Sequence, residues 1–367
     1  MLTLSSIFLS LALITSPLYF FSSGLPQLTD FLFILFIFCY SIVIVTKSNH
    51  SLHLKKIPLA WVLLVIWIVI VQLTWLILRN STEYLMHLSF WVYNLTISLF
   101  IISYVINCKS MILIKNSLYL ASLLSFSGVV IDFFVSFRVT GFFNNPNQLA
   151  YFSILSICIT LLIEKFRISF YSLPFLSIFA CGLSILASLS MTSIVGLAII
   201  MLAYIIANFR MAYLMKTIFI LACIISLFTF IPKGDVYNNL VTNLELRFEQ
   251  KDRKIEIMYE DRGYNRIRSN PQYLIFGAGE GEYQRFSLRN TEIHSNYANI
   301  LFSYGFIGFT FFILLLINVI WKQPIPVLIV IVAPLAYGIT HMGLRFTLFW
   351  IFIAVLILAK RYKLSVH

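Results

Sequence analysis

The chain has 367 residues, of which 60% are hydrophobic and only 11% are charged. Soluble domains carry about 25% charged residues, so this composition excludes an ordinary soluble domain. Apolar runs of roughly 20 residues, the length that crosses a hydrocarbon core of about 30 Å, recur along the sequence. Spans in lipid must be helical because the backbone has to satisfy its own hydrogen bonds.

Twelve membrane spans are predicted in chain order. Hydropathy places them at 3–22, 28–46, 58–78, 86–106, 116–136, 148–163, 169–189, 192–208, 214–231, 296–320, 325–339 and 346–359. The first span lacks a basic n-region and a small-residue cleavage site, so we expect a retained helix and not a signal peptide. The fold class predicted is an all-α polytopic membrane protein. Residues 1–232 hold spans one to nine, 233–295 form a large hydrophilic loop that contains helices, and 296–367 hold the last three spans and a short tail.

The lysines and arginines predict the orientation of the bundle, because cytoplasmic loops are enriched in them. With a cytoplasmic N-terminus, the cytoplasmic segments hold thirteen Lys and Arg, and the short outer connectors hold three, Arg79, Arg138 and Arg345. Both termini then lie in the cytoplasm, and the large loop, with ten basic and ten acidic residues, lies outside. This pattern explains the net charge of +12, so no nucleic-acid partner is implied.

The connector between the fifth and sixth spans, FRVTGFFNNPNQLAYF, is unusually polar. Arg138 stands where the fifth span ends, and an Asn-Pro pair opens the next helix. Asn145 and Asn147 could cap that helix or donate to a ligand. A helix N-terminus that faces an arginine makes an anion pocket. The alternative is an arginine that snorkels to the interface beside a well-formed turn.

The large loop combines an amphipathic stretch, residues 240–259, with arginines and a glycine-rich turn. The apolar positions of the stretch predict a helix. Arg262 and Arg266 follow it, and they either pair with neighbouring acids or bind an anion. Gly277 and Gly279 belong to GAGEG, which is not GxGxxG and has no strand–helix–strand unit around it. A nucleotide site is therefore not indicated.

Histidines complete the polar residues of the predicted outer face. His294 lies immediately before the tenth span, and histidine is a side chain that can take a proton from a hydroxyl. His341 and Arg345 share the last outer turn and either line the same site or pair locally. The alternative, non-functional interpretation is that His294 is a solvated residue at the membrane interface. With no HExxH or DxD motif and no acidic cluster on this face, no metal or cofactor is expected.

The motifs GFFNNPNQLA after Arg138, NPQYLIFGAGEG and HSNYANILFSYGFIG occur in this order. They resemble the bacterial O-antigen polymerase and O-antigen ligase superfamily. The resemblance implies a GT-C-like helical body and a metal-independent, inverting glycosyltransferase. Its donor would be an undecaprenyl-pyrophosphate-linked oligosaccharide, used at the periplasmic face of the inner membrane.

The resemblance also implies roles for residues. His294 would be the base that deprotonates the acceptor hydroxyl, and Arg138 with Arg266 or Arg262 would hold the pyrophosphate. The other candidate substrate-binding residues are Arg345, Asn145, Asn147, Gly277 and Gly279. Many relatives carry Ser-Arg between spans seven and eight, whereas this chain reads ASLSMTSIVG without an arginine. Either Arg345 supplies that charge or the donor is bound differently.

These expectations favour a polymerase that joins lipid-linked repeat units, with a flippase and a chain-length regulator as candidate partners. The alternatives are a ligase that transfers glycan to the lipid A core, and a polysaccharide flippase or secondary transporter. A transporter is expected to place ionisable residues near the bilayer midplane. Here most of them lie at the predicted outer rim.

Overall fold

The structure, a computed structural model, describes residues 1–133, 138–208, 262–286 and 292–361. Within these ranges every regular element is a helix. Single turns of 3₁₀ helix lie at Leu54–Lys56 and Tyr283–Arg285. The α-helices are α1 Leu2–Thr15, α2 Leu28–Thr46, α3 Leu59–Arg79, α4 Glu83–Cys108, α5 Ile112–Phe133, α6 Pro146–Ile163, α7 Leu173–Ala187, α8 Met191–Ala207, α9 Asn265–Ser269, α10 Tyr273–Phe276, α11 Asn296–Ile320, α12 Ile325–Thr340 and α13 Thr347–Arg361.

Six helices, α2 to α6 and α11, are long and apolar enough to cross a membrane. Five further apolar helices, α1, α7, α8, α12 and α13, are shorter, at 14 to 17 residues. The expectation of an all-helical chain with several membrane-spanning helices, as in a polytopic membrane protein, is confirmed at this level for the described residues. The predicted ninth span, 214–231, and the amphipathic stretch 240–259 lie outside them.

The first predicted span is too long. It was placed at 3–22, but α1 ends at Thr15, because the proline at position 17 has no N–H to continue the ladder. The residues that follow form a polar connection to α2, and Gln27 organises it. The side chain of Gln27 accepts from the backbone N–H groups of Phe20 and Phe21 at 3.0 Å each.

Connections between successive helices gather at one end of the bundle. Tyr19, between α1 and α2, donates its backbone N–H to the Phe142 carbonyl, between α5 and α6, at 3.1 Å. Arg138 reaches the Ser188 carbonyl, between α7 and α8, at 3.0 Å. We call this end of the bundle the site end, because the residues 262–286 and the α12–α13 connection also lie there.

Basic connectors lie at the opposite end of the bundle. Lys115 at the start of α5 is 2.7 Å from Glu164 at the end of α6, and Tyr119 donates to the same carboxylate at 2.6 Å. The short connectors predicted to face outward therefore lie together, away from these lysine-bearing ones. Which end faces the periplasm stays a prediction.

The glycine-rich turn, residues 277–281, packs against a break in α11. Gly305 has φ 66° and ψ −174° inside the helix, so the backbone kinks there. The Phe302 and Ser303 carbonyls accept from the backbone N–H groups of Ala278 and Gly279, at 2.9 Å each. A methyl group at Gly305 would meet the Ile275 carbonyl. The turn and the kink therefore fit each other only because both backbones lack side chains at the contact.

Gly305→Ala is expected to destabilise the protein. With φ 66° and ψ −174° the backbone lies in a region that essentially only glycine adopts, which costs another residue about 1–3 kcal/mol, and the collision adds to that. The matched control is Gly182→Ala in α7, where an added Cβ meets nothing within 4 Å and better helix propensity favours alanine. Thermal unfolding of the two purified variants checks this. A Gly305→Ala protein as stable as Gly182→Ala would contradict the packing described.

Candidate functional site

Asp132 shapes the connector that follows α5. Its carboxylate accepts from the backbone N–H of Thr140 at 2.6 Å and of Gly141 at 3.1 Å. Further along, the Asn145 side chain accepts from the Gln148 backbone N–H at 3.0 Å, which is an N-cap of α6. Of the two uses left open for the asparagines, the structure shows the cap for Asn145.

Arg138 links three parts of the site end. Its Nε donates to the Ser188 carbonyl and its Nη2 donates to Asn147 Oδ1, both at 3.0 Å. The Asn147 carbonyl in turn accepts from the Tyr337 hydroxyl in α12 at 2.9 Å. The arginine-free turn between α7 and α8 is therefore in direct contact with the arginine of the preceding outer connector.

A second arginine and two histidines lie at the end of α12. Arg262 Nη1 donates to the Thr340 carbonyl at 2.7 Å, and the His294 backbone N–H donates to the Arg262 carbonyl at 3.1 Å. His341 Nδ1 is 2.8 Å from the Thr340 hydroxyl. The His294 side chain is exposed. We call Arg138, Arg262, His294 and His341 the cationic cluster.

The pKa of His341 reflects its surroundings. Burial, together with the positive charge of the nearby Arg262, His294 and Arg138, lowers it to about 4. Each of these three neighbours disfavours a proton on His341, since like charges repel. At neutral pH the imidazole of His341 is uncharged, and the positive potential around it is suited to an anionic ligand.

A buried carboxylate forms the second group of polar residues. The Glu280 side chain is 2% exposed. Its Oε1 accepts from Arg345 Nη2 at 3.0 Å and from Asn299 Nδ2 at 3.1 Å. Its Oε2 accepts from the Tyr304 hydroxyl at 2.7 Å and from Trp91 Nε1 at 3.3 Å. Four donors from two helices and one connector therefore converge on a single carboxylate. We call Glu280 and these partners the Glu280 network.

The network stabilises the charged form of Glu280. Burial alone would raise the pKa of this carboxyl, but Arg345 and the other neighbours hold it at about 2. Arg345 is also 2.7 Å from Glu292. Arg345, which the family resemblance offers as a second pyrophosphate ligand, is therefore already paired with two carboxylates. Contact of Arg345 with a substrate stays a prediction.

Arg266 and the two glycines are buried close to this network. The Arg266 guanidinium lies 5.7 Å from the ring centroid of Tyr283, and the Tyr283 hydroxyl accepts from Arg345 Nη2 at 3.1 Å. An added Cβ at Gly277 would meet the Ser303 carbonyl, and one at Gly279 would lie 2.8 Å from Trp75. These glycines allow the turn to pack closely against the helices, and their contact with substrate is untested.

Three short segments connect the two groups of residues. Each contributes one residue to the cationic cluster and another to the surroundings of the Glu280 network. These pairs are Arg262 and Arg266, His294 and Glu292, and His341 and Arg345. The predicted site residues therefore divide into two neighbouring environments of different charge.

Sequence reasoning did not single out Glu280 or Tyr337. Glu280 was treated only as part of a glycine turn, although it is the only charged residue between positions 269 and 281. A lone acid in an otherwise uncharged stretch is a signal of a buried, paired carboxylate. Tyr337 gave no such signal, because it lies in an ordinary apolar helix.

No protein-family model matches this chain, and a search of curated proteins finds no significant match. Function is therefore inferred from the residues and their geometry.

Glu280→Gln is expected to cost about 3 kcal/mol of stability, the range found for breaking one partner of a buried ion pair. Glu282→Gln is the milder control and should cost less, because its partner Arg79 is 48% exposed and pairs with an exposed member contribute little. The folded pKa of Glu280 lies below the unfolded value. Its contribution is therefore full above about pH 4.5 and is lost as the pH falls towards 2. Unfolding measured at neutral and acidic pH checks both points; equal losses in the two variants would contradict the network.

Proposed function

We propose that this chain is a surface-polysaccharide polymerase of the O-antigen polymerase and ligase type. It would join undecaprenyl-pyrophosphate-linked repeat units at the periplasmic face of a bacterial inner membrane. In this proposal twelve spans form a GT-C-like body, both termini are cytoplasmic, and the site end faces the periplasm. The observation that carries the proposal is the convergence of two arginines and two histidines in the cationic cluster.

The arginines suit the pyrophosphate of the donor. A guanidinium stays charged and offers a planar fork that matches phosphate oxygens. Arg138 and Arg262 are oriented by neutral oxygens, those of Ser188, Asn147 and Thr340. Pre-oriented cations that meet the charge developing on a leaving group can supply much of the rate. This chemistry needs no metal ion.

His294 suits the acceptor side of the reaction. Its backbone is held by Arg262 while its imidazole is exposed, so a hydroxyl can approach it. The acceptor oxygen would attack the anomeric carbon of the donor sugar as the bond to pyrophosphate breaks, with inversion. His294 would take the hydroxyl proton, and undecaprenyl pyrophosphate would leave with the electron pair.

A ligase would use the same arginines and the same base, with the lipid A core as the acceptor. A flippase or secondary transporter is less well supported, because the ionisable residues described above lie at the end of the bundle and not at the middle of the helices. A flippase and a chain-length regulator are the partners that a polymerase would work with. No nucleic acid is implied.

His294→Ala is expected to lower glycan polymerisation by on the order of 100-fold, which is the lower range for loss of a general base. His53→Ala is the matched control, since His53 pairs with Asn107 at the opposite end at 3.0 Å. The readout is lipopolysaccharide from a deletion strain that carries each variant, at equal protein level. Normal long-chain glycan in the His294→Ala strain would contradict the role of His294 as the base.

Arg138→Ala is expected to abolish long-chain glycan, and Arg138→Lys to restore little, because a lysine cannot replace the bidentate fork. Arg79→Ala, a surface arginine at the same end, should polymerise normally. The deletion strain itself separates the functions. A polymerase deletion leaves core with a single repeat unit, a ligase deletion leaves bare core with accumulated lipid-linked polymer, and a flippase deletion leaves no periplasmic repeats.

A further inference from the structure

A cavity of about 240 Å³ opens at the site end, beside the Glu280 network. It lies between the α1–α2 connection, α4, the start of α6 and the α12–α13 connection. Aromatic rings form much of its wall, among them Tyr19, Phe90 and Phe346. At about 30 Å³ per water, the space equals roughly eight water molecules. This volume suits one small ring-sized group and not a long chain.

Two polar side chains on the wall have buried atoms without a hydrogen-bond partner among the described residues. These atoms are Gln148 Oε1 and Arg345 Nε. A third wall residue, Glu292, has its Oε2 2.7 Å from Arg345 Nη2, in an ion pair. Buried polar groups are nearly always satisfied. One acceptor and one donor are therefore left for a ligand that can both donate and accept.

The charged side chains on the cavity wall limit the kind of ligand that it can bind. Asp30 and Glu292 both line the cavity, and the one arginine there, Arg345, is also paired with Glu280. A phosphate would be repelled by this acidic surface, in contrast to the cationic cluster. Hydroxyl groups donate to carboxylates and accept from guanidinium groups. Apolar ring walls with a few convergent polar groups are the usual form of a small-molecule site.

The cavity and the cationic cluster share the same chain segments. Gln148 follows Asn147, the partner of Arg138, and Glu292 precedes His294 by two residues. The chain segment that lines the cavity with Glu292 therefore also carries His294, the base assigned above. We propose that this cavity is a sugar pocket that binds one uncharged pyranose ring of the acceptor glycan through Gln148, Glu292 and Arg345. The pocket rests on the proposed function and assigns its acceptor side.

Binding measurements on the full-length protein in nanodiscs test the pocket. The probes are methyl glycosides of each repeat-unit sugar of the host, detected by saturation-transfer NMR, and inorganic pyrophosphate, detected by calorimetry. Gln148→Ala and Glu292→Gln should each weaken glycoside binding at least about tenfold, since each removes one hydrogen-bond acceptor or its charge. Both should bind pyrophosphate as the wild type does. Gln323→Ala, at the opposite end, is the matched control and should change neither.

The outcomes separate the two proposals. Glycoside binding that survives both pocket substitutions, or that is absent from the wild type, would overturn the sugar pocket and leave the polymerase proposal standing. Glycoside binding without any pyrophosphate binding would support the pocket and contradict the donor site. Selective binding of the sugar at the non-reducing end supports the acceptor assignment. Preference for the reducing-end sugar would overturn that assignment in favour of the donor glycan.

Discussion

One buried carboxylate holds the site end together. Glu280 lies in a connecting segment, yet it accepts hydrogen bonds from α4, from α11 and from the α12–α13 connection. Its backbone is fixed as well, because Gln72 in α3 accepts from its N–H at 3.1 Å and donates to its carbonyl at 3.2 Å. An ionised carboxylate can be buried only when donors of this number surround it. The helices around it are therefore held in one arrangement.

The cationic cluster depends on this anchoring. The same segment that carries Glu280 also carries Arg262, whose guanidinium reaches the end of α12. The kink at Gly305 lets that segment pass close to α11, and Arg345 connects it to the start of α13. The burial of Glu280 with its donors therefore fixes several short polar segments beside one another at the rim of an otherwise apolar bundle. The cationic cluster is formed by these segments.

The cationic cluster and the more acidic cavity would suit the two substrates of the proposed reaction. The donor would bring a pyrophosphate, which favours the cationic cluster, whereas the acceptor would bring sugar hydroxyls, which favour the cavity. The segments 262–266, 292–294 and 341–345 run between the two environments. One of these segments carries His294, the base of the proposed reaction.

The helices could be predicted from sequence much better than the site. The spans 28–46 and 296–320 coincide with α2 and α11, because long apolar runs between polar turns leave little choice. The predicted end of α1 was wrong, because the prediction used hydrophobicity alone and did not take account of the proline at position 17. Topology predicted only that Arg138, Arg262 and His294 share one face, and their common site was an expectation from the family resemblance. The Glu280 network could not be predicted, because its partners come from positions 72, 91, 299, 304 and 345, and only the folded chain shows that they meet.

The most direct test of the central claim is transfer by the purified protein. The full chain in nanodiscs is given undecaprenyl-pyrophosphate-linked repeat units, with a chelator present, and the products are separated by size. We expect a ladder of polymers and release of one undecaprenyl pyrophosphate per bond formed, without added metal. Repeat units that stay single while they move across the membrane would contradict it.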